Sequence, residues 1–179
     1  SGLLRLSGRD ITNNLTISAG NVELLATGNI LNNSMIEGER GKLSGNNITN
    51  KDLIIFLDKL DIEGTKFVNK DASVYSDDEL NISTGDVDNT GGEIVGQSEL
   101  NITGFNLLDN TKGIIDSRGN ILLSGNKLLN SGEVSGQYRL YWETWDGRTR
   151  YDDVWRELDG AYAQTGNSSL ITSLNSWVF

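Results

Sequence analysis

The residues best spaced for chemistry are two runs of carboxylates, Asp77-Asp78-Glu79 and Asp152-Asp153. Carboxylate pairs cleave glycosidic bonds when one is kept protonated and the other ionised, and some polysaccharide-cleaving enzymes carry such pairs on long β-helices. Adjacent residues on a strand point to opposite faces, however, and most acid runs are solvated loops. The chain has no His and no Cys, which removes the usual nucleophile and base pairings and the common zinc sets. No P-loop or Rossmann fingerprint is present. Asp and Asn at corners can hold calcium, but the glycine-rich nonapeptide of calcium β-rolls is missing. The triplets Asn81-Ile-Ser83 and Asn101-Ile-Thr103 match the glycosylation sequon, as expected by chance where a repeat puts polar residues at alternate positions. The reading is therefore a protein that is not an enzyme, with no cofactor and no metal; carboxylate-dependent glycan cleavage is a rival.

The second candidate is aromatic. Residues 137–179 hold all four Trp and four of the five Tyr. Tyr141, Trp145, Tyr151 and Trp155 are the candidate binding residues, because flat amphipathic rings dominate interface energetics. The alternative is that these rings cover the side or end of the fold and hide apolar surface.

The elements that must position these residues come from a repeat. The stretch Glu99 to Gly136 states one phrase twice: alternating apolar residues (Leu100 and Ile102, then Ile121 and Leu123), a glycine (Gly104, Gly125), an apolar residue and an asparagine (Asn110, Asn130). A shorter apolar step follows each. Earlier copies put the asparagine at Asn13, Asn32, Asn50, Asn69 and Asn89, so it recurs every 18 to 21 residues. Short alternating runs at that period, broken by Gly and Asn, predict the coils of a parallel β-helix. One such coil cannot repay its own backbone entropy, so copies must stack and cover one another. The asparagines then form either an inward hydrogen-bonded ladder or a row of left-handed corners. The glycines four to six residues before them predict corners with positive φ. The run Leu53-Ile-Ile-Phe-Leu falls where other copies have a corner.

Composition narrows the partners. A formal charge of −10 over 179 residues and a pI near 4.4 argue against a nucleic-acid surface, which needs a basic stripe. Spread acids repel anionic membranes, and no apolar run approaches the length of a membrane span. The absence of Cys leaves the compartment open. Ser1 falls inside a repeat phrase, so the chain reads as a fragment of something longer.

After Gly136 the phrase stops. Residues 1–136 form the repeat shaft, and 137–179 an aromatic-rich segment or cap that can also continue the solenoid. Asp146-Gly147 between aromatic runs predicts a hairpin from Tyr138 to Trp155.

The phrases Gly28-Asn-Ile-Leu-Asn-Asn-Ser, Gly104-Phe-Asn-Leu-Leu-Asp-Asn-Thr-Lys-Gly and Gly125-Asn-Lys-Leu-Leu-Asn-Ser-Gly-Glu-Val closely resemble the repeats of filamentous haemagglutinin-type adhesins. The resemblance covers residues 3–136. It departs at Asn50-Lys-Asp and Asn69-Lys-Asp, which lack the usual Asn-x-x-Gly step. It implies an all-β fold, a right-handed parallel β-helix of about seven coils of roughly twenty residues with a C-terminal hairpin excursion. It also implies a Gram-negative cell-surface or secreted setting, export through an outer-membrane two-partner transporter that does not engage this segment, and a rigid adhesin or contact-dependent growth-inhibition shaft presenting a binding or toxic end. A target-cell receptor or glycan is the partner implied for the aromatic segment.

Overall fold

A computed structural model describes residues 2–131 in full, and residues 138–142, 152–156, 170–173 and 176–178 as strands. The chain is an all-β parallel solenoid of about six turns, with no helix among the described residues. Seven asparagines bound six intervals, which is why a count of repeat phrases gives one more than a count of turns.

Each coil has three faces. The first is built by β1 (Leu3–Gly8), β3 (Ile17–Ala26), β5 (Ile36–Asn50), β6 (Leu53–Val68), β8 (Glu79–Asp88), β10 (Glu99–Phe105) and β13 (Asn120–Gly125). Their parallel register stacks Leu6, Leu24, Leu43, Ile62, Ile82, Ile102 and Leu123 in one column. The second face starts at β2 (Ile11–Asn13) and β4 (Asn29–Asn32), continues through the ends of β5, β6 and β8, and closes with β11 (Leu107–Asp109) and β14 (Leu128–Leu129). It stacks Ile11, Ile30, Ile48, Phe67, Val87, Leu108 and Leu128. The third face uses the starts of β3, β5 and β6, then β7 (Ser73–Ser76), β9 (Glu93–Gly96) and β12 (Ile114–Ser117). Its column is Ile17, Ile36, Ile54, Val74, Ile94 and Ile115.

Alternation aims these columns at one interior. Leu100, Ile102, Leu108, Ile121 and Leu123 are all buried there. In the run Leu53–Leu57, Leu53 to Phe56 are third-face strand with Ile54 and Phe56 pointing inward, and only the exposed Leu57 belongs to the corner that follows. Phe56 is accommodated because the coil beneath carries glycine at two neighbouring positions. A Cβ on Gly41 would stand 2.5 Å from the Phe56 ring, and one on Gly38 3.0 Å from it. Of the two other buried phenylalanines, Phe67 and Phe105, Phe105 faces Gly125 across the register in the same way.

The glycines before the asparagines are a correction to the sequence reading. Of Gly8, Gly28, Gly45, Gly64, Gly85, Gly104 and Gly125, only Gly104 has positive φ, at 75°. The rest are largely a matter of close approach. A Cβ on Gly64 would collide with the Gly45 carbonyl oxygen, and one on Gly85 would lie 2.9 Å from the Thr65 oxygen.

The solenoid path resumes beyond the repeat phrases. Two strands, β15 (Tyr138–Trp142) and β16 (Asp152–Arg156), pair antiparallel in a sheet of their own. Then β17 (Leu170–Ser173) stacks on β12, with Ile171 opposite Ile115, and β18 (Ser176–Val178) stacks on β13, with Trp177 opposite Ile121. The chain thus leaves the coil after the second face and returns on the third. The segment Leu170-Ile-Thr-Ser lies on Ile114-Ile-Asp-Ser residue for residue.

Candidate functional site

The most organised polar feature is the column of asparagines. Each donates its side-chain amide to the side-chain oxygen of the asparagine one coil on: Asn13 to Asn32 at 2.7 Å, then Asn32 to Asn50, Asn50 to Asn69 and Asn69 to Asn89, each at 2.8 Å. Asn89 reaches Asn110 at 2.7 Å and Asn110 reaches Asn130 at 2.8 Å. Asn13 through Asn110 are buried and Asn130, at the end of the column, is exposed. The amides also tie the corner to the next coil: Asn69 donates to the Ala72 and Glu93 carbonyls, and Asn89 to those of Gly92 and Ile114. A buried amide costs free energy unless it is bonded, and here the neighbouring coil supplies the partners.

Two corner designs surround this column. After Asn13, Asn32 and Asn50 the asparagine oxygen accepts from the backbone N–H two residues on, as an Asx turn does. After Asn69, Asn89 and Asn110 the chain adds a residue and closes a β-turn, in which the N–H of Ala72, Gly92 or Gly113 donates to the asparagine carbonyl. The third turn position is then left-handed: φ is 53° at Asp71, 66° at Gly91 and 58° at Lys112. Asn69-Lys-Asp therefore makes the same turn as its glycine-bearing neighbours. Three of the four positive-φ residues described fall at this corner, and Asp71 and Lys112 give no glycine signal for it.

Asp77 and Asp78 lie exposed at the corner from the third face to the first, and Glu79 starts the first face. Glu79 accepts from Asn81 at 2.6 Å and from Lys59 at 3.1 Å. The Asn81 amide, then the Lys59 ammonium, hold its carboxyl below the usual carboxylate range. It is thereby kept ionised, the opposite of what a general acid needs. Arg5 binds Glu23 at 2.5 Å, a hydrogen bond that lowers the Glu23 carboxyl. With Lys42–Glu63 and Lys59–Glu79 these pairs lace adjacent coils across the outside of the first face, and Lys59 also pairs with Asp61 on its own strand. On the third face the Tyr75 hydroxyl donates to Glu93, and burial first, then that bond, pushes the phenol well above its ordinary value. Among the described residues no group of three or more acidic side chains is placed to hold a metal ion.

Tyr141 lies in β15 opposite Asp153, and Trp155 in β16 opposite Arg139. Trp145, Tyr151 and the Asp146-Gly147 turn lie outside the described residues. Asp152 and Asp153 are consecutive in β16, opposite Trp142 and Tyr141.

No known family model matches the sequence, and no curated protein or solved structure is significantly similar to it.

Proposed function

We propose that this chain is part of the shaft of a large exported surface protein of the filamentous haemagglutinin type, a rod that holds a binding or toxic end away from the producing cell. The observation that carries this reading is the unbroken stack: three apolar columns and one amide column run through every described coil, each coil bonded to the next. At about 4.8 Å per coil, the spacing of paired strands, such a stack converts sequence length linearly into reach. The wording of the repeats supports the same family. Export would use an outer-membrane two-partner transporter, and the setting would be the exterior of a Gram-negative cell.

Antibodies against residues 2–131, applied to intact producing cells, test the proposal. Staining that depends on the partner transporter is expected. Staining seen only after lysis, with the transporter present, overturns it.

The return of β17 and β18 to the coil favours a second reading for the tail. Residues 132–169 are tied to the solenoid at both ends, as a module displayed from one corner would be. Tyr141, Trp145, Tyr151 and Trp155 would then contact a receptor or glycan. Trp145→Ala or Trp155→Ala should abolish attachment to target cells while leaving the melting curve unchanged.

A further inference from the structure

The corner from the third face to the first changes width partway along the rod. One residue makes it in the first two coils, Gly20 and then Glu39, whereas Leu57 and Asp58 make it in the next. The register shift between Gly38 and Arg40 records the extra residue. Leu57 consequently overhangs smaller coils and is 54% exposed. Beside it lies a groove of about 330 Å³, lined in part by the small residues Ser18, Ala19, Gly20 and Gly38. Ile55 and Leu57 line it from one coil and Glu37 and Glu39 from the coil before, with Glu37 beside Ile55 in the register.

Those two carboxylates differ from four of the five acids of the first face, the fifth being Glu99, which bonds Asn101. Glu23, Asp61, Glu63 and Glu79 each pair with a cation, as Asp58 does with Arg40 at the corner. Neither Glu37 nor Glu39 pairs with a described cation. Apolar side chains beside unpaired carboxylates suit a side chain with an alkyl stem and a cationic head.

We propose that this groove receives a lysine or arginine side chain from an extended basic and apolar segment of another polypeptide. The stem lies on Ile55 and Leu57, and the head bonds Glu37 and Glu39. A second copy of the chain would bring the same charge of −10 to an acidic groove. Residues 132–169 carry seven acids against four arginines, so the chain's own excursion is also mismatched. The proposal is independent of the shaft reading.

Fluorescence anisotropy of a synthetic alternating lysine–leucine peptide, titrated with the full chain at near-physiological salt, tests it. The peptide should bind, and a glutamate–leucine counterpart should not. Leu57→Ser, and Glu37→Gln with Glu39→Gln, should each weaken binding at least about tenfold, the loss expected for one charge-assisted or apolar anchor. Asp86→Asn with Asp109→Asn removes the same charge from the second face and should change affinity less than about twofold. Equal weakening by both charge pairs would reduce the effect to net charge and overturn the site, as would no binding at all. Self-association lost in Leu57→Ser would assign the groove to a second copy. A cross-link from the L57C variant to residues 138–156 would assign it to the excursion.

Discussion

At the scale of single residues, the asparagines and glycines act through the coil next door. Asn89 and Asn110 each bond a side chain and a carbonyl of the following coil or of their own corner. Asn89→Ala and Asn110→Ala should each cost about 1–3 kcal/mol, because truncation leaves buried partners unbonded. Urea midpoints unchanged in both variants would refute this. Gly64 and Gly104 make a sharper pair. Gly64→Ala drives a Cβ into the Gly45 carbonyl oxygen, a backbone atom that cannot rotate away, so it should cost at least the ~1–3 kcal/mol of an overpacked core. Gly104→Ala meets nothing within 4 Å and is strained only by its φ of 75°, which should cost about 1 kcal/mol. Equal midpoints for the two would show that coil approach is not what selects glycine. The asparagine period is legible in the sequence because a solenoid repeats its landmarks at coil length. The reason for each glycine is not, since it depends on where a neighbouring coil puts its carbonyl. Nor do Asp71 and Lys112 announce their left-handed backbone, because neither residue type requires it.

At the scale of elements, strands on adjacent coils share volume, so a large residue in one is answered by a small residue in the next. Phe56 of β6 occupies the space opened by Gly38 and Gly41 of β5. Phe56→Ala should cost about 3–5 kcal/mol through the cavity it leaves, and Gly41→Leu alone should also destabilise, by clash. Combined, the two should cost less than their sum by about 1 kcal/mol or more, the coupling expected of residues that share a site. Strict additivity in a double-mutant cycle would separate the two positions. This exchange explains why Leu53–Leu57 misleads as sequence: its apolar density resembles no other copy, and only the glycines one coil earlier show that Leu53 to Phe56 are ordinary third-face strand. The groove beside Leu57 was equally hidden, being a difference in corner length between two coils. The return of β17 and β18 was hidden for a related reason. Leu170-Ile-Thr-Ser matches Ile114–Ser117 in pattern but lies 56 residues on by the pairing of Ile114 with Leu170, far outside the period that identifies the other copies.

At the scale of the whole molecule, a solenoid stabilised by nearest neighbours should tolerate loss of a complete coil and fail on loss of half of one. Deleting residues 70–89 joins Asn69 to Thr90-Gly91-Gly92. The turn after Asn69 and the turn after Asn89 have the same length and the same closing hydrogen bond, so the junction needs no new geometry. Asn69 would then bond Asn110, and Leu60, Ile62 and Phe67 would stack on Leu100, Ile102 and Leu108, all buried residues of equivalent positions. The glycine at Gly92 replaces Ala72 at the turn's last position, which removes a methyl and adds no clash. The shortened chain should keep its β circular dichroism and unfold cooperatively at a lower midpoint, having lost one set of coil interfaces. Small-angle scattering should find it shorter by about 4.8 Å, one strand spacing. Deleting residues 70–79 removes half a coil and sets first-face strand on third-face strand, with the amide column broken at Asn69. That chain should lose its cooperative transition. If both deletions behave alike, whether folded or unfolded, the stability of this rod is not a sum over stacked coils, and the proposal that its length is a simple multiple of the repeat falls with it.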